Sequence, residues 1–88
     1  MEVHFTRRFE KQLDSIKDEK LRKEIDKAIR WVERAKTTKT IPSIKKLRNA
    51  KNSYRIRIGD FRIGLLILST DVIFMDMDHR KDFYRRFP

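Results

Sequence analysis

Three arginines lie close together in residues 54–62, which read YRIRIGDFR. Side chains alternate between the two faces of a β-strand, so the isoleucines of this segment share one face and the arginines share the other. The Gly59-Asp60 pair is typical of a hairpin turn, in which glycine adopts a positive φ. Such a hairpin places Arg57 opposite Arg62, and like charges placed opposite each other destabilise a sheet. We therefore predict that this face of the hairpin binds a polyanion.

The alternative is a solvated face on which acidic residues neutralise the arginines. A three-residue turn at 69–71 would place Asp76 and Asp78 on the same face as Arg62. Pairing of these carboxylates with the arginines would remove the reason to expect a polyanion. Four cations precede the hairpin, and they either contact nucleic acid or only keep the surface soluble. They are Lys45, Lys46, Arg48 and Lys51.

The composition restricts the class of protein. The 88 residues include 23 basic and 13 acidic side chains, a formal net charge of +10, which favours nucleic acid or another anionic surface as partner. The chain contains 0 cysteines, so neither disulfides nor thiolate metal sites can form. The two histidines lie far apart and no acidic cluster has ligand spacing, so we expect no metal and no cofactor. No apolar run has the length of a signal peptide or a membrane span, and we expect a soluble cytoplasmic protein without membrane contact.

Two helices are predicted in the first half of the chain. Thr6 is a predicted N-cap, and the first helix then has an apolar face formed by Phe9, Leu13 and Ile16. Lys17–Glu19 is predicted to be a tight connection. The apolar residues of 21–35 follow a helical period over more than four turns, with Trp31 at the edge of the stripe as a packing residue. These segments predict an antiparallel helical hairpin.

The second half predicts a sheet. A short first strand at 3–5 is joined by strands at 53–58, 61–69 and 72–78, with a turn at 69–71. Residues 44–47 are predicted to lead into the sheet, residues 49–52 to form a loop, and the tail at 79–88 to form one or two helical turns. The order β-α-α-β-β-β predicts one small α+β domain over residues 1–88, with the helical hairpin on one face of a mainly antiparallel sheet.

Two segments carry a resemblance to a known family. Residues 54–64 read YRIRIGDFRIG and residues 79–88 read HRKDFYRRFP, and together they resemble the RelE/ParE toxin superfamily of bacterial and archaeal toxin–antitoxin modules. The resemblance extends over essentially the whole chain and implies a RelE-like microbial RNase fold. RelE members enter the ribosomal A site and cut mRNA there without a metal. They leave a 2′,3′-cyclic phosphate and a 5′ hydroxyl, so the ribose 2′-OH is the nucleophile.

The resemblance also implies which residues act. It places the functional positions on Arg55, Arg57, Arg62, Arg80 and Tyr84, and more loosely on Lys45 and Lys46. Attack by a 2′-OH builds negative charge on the phosphate, and arginine's planar fork matches phosphate bidentately. We assign Arg62 and Arg80 to the scissile phosphate, with Arg57 beside them. Arg55 is assigned to the substrate backbone, helped by the bare Gly64 expected opposite it.

Proton transfer requires a different group, because arginine stays protonated in proteins. RelE members often have lysines where this chain has Arg55 and Arg57, so these two positions are expected to hold phosphate but not to accept a proton. Tyr84 is the first candidate for general base, since dense positive charge favours a phenolate. His79 is the second candidate, as base or as acid for the leaving 5′ oxygen. Tyr84 could instead stack on a base.

Other functions are compatible with the same residues. The main expectation is a ribosome-dependent mRNA interferase, with the ribosome and mRNA as partners. ParE members share the fold but inhibit DNA gyrase, which is the second hypothesis. The third hypothesis is a non-catalytic RNA-binding module. The resemblance also implies a cognate antitoxin, expected to be an acidic or amphipathic segment that covers the basic face or displaces the C-terminal tail.

Overall fold

Five strands and three α-helices follow one another in the computed structural model, which describes residues 1–48 and 50–88. They are β1 (Glu2–Phe5), α1 (Arg7–Asp14), α2 (Glu19–Arg34), β2 (Ile44–Lys46), β3 (Ser53–Ile58), β4 (Phe61–Leu68), β5 (Asp71–His79) and α3 (Arg80–Arg86), with a 3-10 turn at Thr38–Thr40. The sheet order is β1-β5-β4-β3-β2; β1 is parallel to β5 and all other neighbours are antiparallel. The predicted α+β class is confirmed. No helix of the described ranges is long and apolar enough to cross a membrane.

Capping side chains begin both helices of the predicted hairpin. The hydroxyl of Thr6 accepts a hydrogen bond of 3.1 Å from the backbone N–H of Phe9, as the sequence predicts. Asp18 caps α2 in the same way. The connection between the two helices comprises residues 15–18, so the predicted connection at 17–19 starts two residues late and ends one residue late. Ile16, predicted on the first helix, lies beyond the end of α1 but still packs against the core.

The core lies between this hairpin and the inner face of the sheet, as predicted. Across three strands Ile56 is paired with Ile63 and Ile63 with Met77, and all three side chains are buried. Phe9, Ile25 and Val32 are fully buried against them, and they come from the two helices. The sheet face opposite to α1 and α2, called the outer face below, is therefore the one that presents the arginines of β3 and β4.

One strand was missing from the prediction. Ile44–Lys46 pairs with β3 as an antiparallel edge strand, so the sheet has a fourth strand in the second half of the chain. Three residues are too few to show a period of two, and pairing with the free edge of β3 explains why they are extended. Of the predicted loop at 49–52, residue 50 is a bend and residues 51 and 52 form a turn, and Asn49 lies outside the described residues.

The connection between β4 and β5 also differs from the prediction. Leu68 pairs with Asp71, so the turn has two residues, Ser69 and Thr70, and the predicted three-residue turn is wrong. A β-bulge at Gly64/Leu65 then shifts the pairing of β4 with β5 by one residue. The shorter turn and the bulge compensate for each other, and Asp78 lies opposite Arg62 on the outer face, as expected.

The C-terminal tail covers part of the outer face. It forms the predicted short helix, α3, and Phe83 and Phe87 are buried at 0% and 5% exposure with their ring centroids 5.5 Å apart. The ring of Phe87 lies directly above Gly64, where a Cβ would come within 2.7 Å of Cγ of Phe87. These phenylalanines form a second, small apolar cluster, which positions α3 against β4 and β5.

Candidate functional site

The hairpin of β3 and β4 brings three arginines onto the outer face. Arg57 pairs with Arg62, and Arg55 lies opposite Gly64, in the predicted register. Gly59 in the turn has a φ of +55°, which explains the glycine at this position. We call Arg55, Arg57 and Arg62 the arginine face.

Arg62 is held against the turn by its own hydrogen bonds. Its Nη1 donates to the carbonyl oxygens of Gly59 and Phe61, both at 2.9 Å. Within the part of the chain that the structure describes, all side-chain hydrogen bonds of Arg62 leave from Nη1. The protons on Nε and Nη2 are therefore available for a bidentate contact with an anion.

Asp78 is paired with a cation outside the arginine face. Its Oδ2 lies 3.8 Å from Nη1 of Arg86, and its Oδ1 accepts a hydrogen bond of 2.8 Å from the backbone N–H of His79. Although Asp78 is opposite Arg62 in register, their charged atoms are not within 4.0 Å.

Asp76 is buried and likewise satisfied elsewhere. One carboxylate oxygen accepts from Nε of Arg8 at 3.1 Å, from Nε2 of Gln12 at 2.7 Å and from the backbone N–H of Met77 at 2.9 Å. Across residues 1–48 and 50–88, no acidic side chain lies within 4.0 Å of a charged atom of the arginine face. Direct neutralisation by Asp76 and Asp78, the alternative considered from sequence, is therefore wrong.

Arg80 is brought to the same turn as Arg62. Its backbone N–H donates to the carbonyl oxygen of Asp60 at 2.7 Å, and its Nε lies 3.9 Å from the carboxylate of Asp60. Arg62 is therefore anchored by its guanidinium group on Gly59 and Arg80 by its backbone on Asp60, two adjacent residues of one turn. Both side chains of the ion pair to Asp60 are largely exposed, so this contact is weak and an anion can compete for it.

Tyr84 follows Arg80 by four residues, which places both on one face of α3. Its side chain is 56% exposed, and its ring meets Phe83 edge-on at a centroid distance of 4.9 Å. The buried Phe83 thus fixes the helix while the phenol remains accessible. This position is compatible with either predicted role, proton transfer or base stacking.

His79 has a structural role that the sequence did not reveal. It is the N-cap of α3, and its Nδ1 accepts a hydrogen bond of 3.2 Å from the backbone N–H of Lys81. Its ring also packs edge-on against Phe61 at 5.7 Å. A nitrogen that accepts this bond has no free lone pair, so proton transfer through Nδ1 would require loss of the cap.

Arg55 differs from its expected surroundings. The room above Gly64 is filled by Phe87, so the expectation of a bare glycine beside Arg55 is wrong. Arg55 instead pairs with Lys45 of β2, and the two side chains line a groove together with Arg57. The Nε of Arg55 is buried and has no hydrogen-bond partner among the described residues. An unsatisfied buried donor is unfavourable by about 1–3 kcal/mol.

The other predicted cations lie in three different places. Lys45 joins the arginine face, whereas Lys46 pairs with Tyr54, a residue that packs against the core on the opposite face. Arg48 and Lys51 precede β3 at its far end, roughly 17 Å along the strand from the turn at Gly59. The structure does not bring these two residues to the arginine face.

One group of possible metal ligands lies elsewhere. Donor atoms of Glu2, His4 and Asp71 lie within 4.8 Å of one another, because β1 pairs with β5. The expectation that no acidic cluster has ligand spacing did not include this cross-strand pairing. The group is exposed and is three strands away from Arg57, roughly 14 Å across the sheet. It has no contact with the arginine face.

Comparisons with known proteins agree with this geometry. The family described as "ParE toxin of type II toxin-antitoxin system, parDE" matches residues 3–84. Toxin RelE3 of Methanocaldococcus jannaschii is 34% identical over 89 residues, covering 100% of both chains. A chain of the RelB–RelE antitoxin–toxin complex from Methanococcus jannaschii has a TM-score of 0.81 at 32% identity, covering 98% of this chain and 100% of that one. Isolated RelE toxin of E. coli, at 14% identity and a TM-score of 0.68 over 97% of this chain and 96% of that chain, shares the fold.

Proposed function

This chain belongs to the RelE/ParE superfamily of type II toxin–antitoxin toxins, and from that premise we propose that it is a ribosome-dependent endoribonuclease that cuts mRNA in the A site. The observation that carries the proposal is the anchoring of Arg62 and Arg80 on adjacent residues of one turn, beside an arginine face that no acidic side chain of residues 1–48 and 50–88 approaches within 4.0 Å. A toxin that only binds a protein does not require two arginines anchored on one turn.

The proposed reaction is attack of a ribose 2′-OH on the adjacent phosphate. The bond from phosphorus to the 5′ oxygen breaks and this oxygen takes a proton from solvent, which leaves a 2′,3′-cyclic phosphate and a 5′ hydroxyl. Negative charge grows on the non-bridging oxygens, and Arg62 and Arg80 donate to it, with Arg57 beside them. Arginine charge at the phosphate takes the role that a metal ion has in other nucleases.

Tyr84 is proposed as the general base that accepts the proton of the 2′-OH. It is exposed on the same helix face as Arg80, so a phosphate held by Arg80 places the ribose near the phenol oxygen. His79 is the second candidate, but its Nδ1 already caps α3. Arg55 and Lys45 are proposed to hold the RNA backbone, with Lys46, Arg48 and Lys51 as more distant cationic contacts.

Single-turnover cleavage of ribosome-bound mRNA tests these roles. Arg62→Ala and Arg80→Ala are each expected to lower the rate by about 10²–10³, the effect of removing one donor to developing charge. Arg85→Ala is the matched control, because Arg85 lies on the same helix but pairs with Asp82 and is exposed. Wild-type rates for Arg62→Ala and Tyr84→Phe would show that the catalytic assignment is wrong.

A gyrase inhibitor is the second candidate function. The observation that favours it is the match to a family described as ParE toxins. Inhibition of supercoiling by purified gyrase, without cleavage of mRNA, would support this candidate and contradict the nuclease. RNA binding without any cleavage or gyrase inhibition would leave only a non-catalytic RNA-binding module.

We also infer a cognate antitoxin as the partner of this chain. Three of the similar structures are RelB–RelE complexes from M. jannaschii, Pyrococcus horikoshii and E. coli. An acidic or amphipathic segment is expected to cover the arginine face or to displace α3, which is held on the sheet chiefly by Phe83 and Phe87. Co-expression with the product of an adjacent small acidic open reading frame, followed by purification of the complex, tests this partner.

A further inference from the structure

Trp31 is the one tryptophan of the chain, and 44% of it is exposed. It lines a groove of about 410 Å3 between α2 and the start of β2, together with Lys27, Pro42 and Arg57. The isoleucines beneath this groove, Ile41, Ile56 and Ile58, are exposed by no more than 8%. The accessible apolar surface of the groove is therefore mainly the indole ring and Pro42.

Cationic grooves continue on both sides of Trp31. On one side Arg57 also lines the groove of Arg55 and Lys45, so the path runs from the arginine face around the β2 edge. On the other side the indole and Lys27 line a further groove with Arg30 and Arg34. Glu24 is the acidic residue that lines this path.

Helical spacing explains how α2 contributes to the path. Lys27, Arg30, Trp31 and Arg34 follow the i, i+3, i+4, i+7 pattern, so they form one stripe on the helix. The helix dipole accounts for a cation such as Arg34 in the last turn. It does not account for a large aromatic ring left in solvent between these cations.

We propose that this path binds single-stranded RNA beyond the cleavage point, with Trp31 as a stacking platform for an unpaired base. Alternating cations and an exposed ring match the alternating phosphates and bases of a single strand. An amphipathic protein helix would present a row of apolar side chains, whereas the exposed apolar surface of this groove is mainly one indole ring and Pro42, with cations on both sides. The inference rests on the proposed function only in taking RNA as the ligand.

The intrinsic fluorescence of Trp31 provides the test, because no other tryptophan contributes to the signal. The probe is a short single-stranded 2′-O-methyl RNA, which lacks the nucleophilic 2′-OH and stays intact. We expect saturable quenching of wild-type fluorescence. By fluorescence anisotropy with a labelled probe, Trp31→Ala is expected to weaken binding about 5- to 150-fold and Trp31→Phe to retain most of it.

The salt dependence of RNA binding shows whether the cations of the path on α2 contact phosphates or only add to the net charge of the protein. Lys27→Ala with Arg34→Ala removes two cations of the path, and we expect the slope of log K against log salt to decrease by about 1.4. Lys20→Ala with Lys23→Ala is the matched control, since these lysines are on α2 but line none of the three grooves. The control pair is expected to leave the slope unchanged.

Several results would overturn the inference. The first is that the oligonucleotide does not quench wild-type fluorescence and that Trp31→Ala binds it with wild-type affinity. The second is that the two double variants have the same salt slope. The third is that polyglutamate quenches the fluorescence as strongly as the oligonucleotide does. Quenching by a co-purified antitoxin but not by the oligonucleotide would assign the groove to a protein. Because binding is measured with an uncleavable strand, loss of quenching in a protein that still cuts mRNA would contradict this inference alone. Quenching in a protein that cuts nothing would contradict only the nuclease.

Discussion

Replacement of Gly64 by alanine tests the contact that holds the tail on the outer face. An added Cβ would lie 2.7 Å from Cγ of Phe87, whereas non-bonded carbon atoms are favourable at about 3.5–4.0 Å. Gly64 is not among the residues with positive φ, so the expected cost comes from the ring and not from the backbone. We expect Gly64→Ala to lower the free energy of unfolding by about 1–3 kcal/mol, the usual cost of overpacking.

A second substitution, Phe87→Ala, tests whether the cost of Gly64→Ala comes from the phenyl ring. Alone it costs at most about 3–5 kcal/mol, an upper limit because a residue next to the chain end can detach locally. Once the ring is gone, the clash at Gly64 is gone as well, and alanine in a strand is favoured over glycine by about 0.5–1 kcal/mol. The two substitutions should therefore couple by about 1.5–4 kcal/mol.

Urea unfolding of the four proteins of this cycle, followed by circular dichroism, measures the coupling. Gly59→Ala is the matched control, because nothing lies within 4 Å of its added Cβ and its φ is +55°. It should cost about 1–2 kcal/mol from the left-handed backbone, equally with and without the ring of Phe87. Equal destabilisation by Gly64→Ala in both backgrounds would refute the packing of Phe87 on Gly64.

Three further predictions concern side chains with backbone partners. Thr6→Ala should lower the free energy of unfolding by about 1 kcal/mol in urea denaturation, with recovery in Thr6→Ser, because the cap of α1 is lost. His79→Asn should preserve the cap of α3 and, if Tyr84 is the base, leave single-turnover cleavage near the wild-type rate; a loss of 10²-fold or more would restore His79 as a catalyst. Asp76→Ala should cost about 1–3 kcal/mol in thermal or urea unfolding, since Gln12 and the backbone N–H of Met77 lose a buried acceptor; an unchanged midpoint would contradict that role.

The sequence predicted those parts of the fold that depend on neighbouring residues. The β3–β4 register followed from a period of two on either side of Gly59-Asp60, and both signals are local. Thr6 was recognised as an N-cap for the same reason. β2 was missed because three residues show no period, and its extended form depends on the edge of β3.

The candidate site was predictable in its residues but not in its contacts. Arg62 and Arg80 are 18 positions apart, and only the fold shows that both are anchored on one turn. The partners of Asp76 and Asp78 come from α1 and α3, which strand alternation cannot indicate. The bulge beside Gly64 and the ring of Phe87 above it also depend on contacts distant in sequence.

Mapping the ends of mRNA in a translating extract that contains the purified protein tests whether the protein is a ribosome-dependent nuclease. We expect new ends within codons at the ribosomal A site, a 2′,3′-cyclic phosphate on one fragment and a 5′ hydroxyl on the other. These ends should disappear with Arg62→Ala. Intact mRNA in an extract that the protein has inhibited, or gyrase inhibition without new RNA ends, would contradict this expectation.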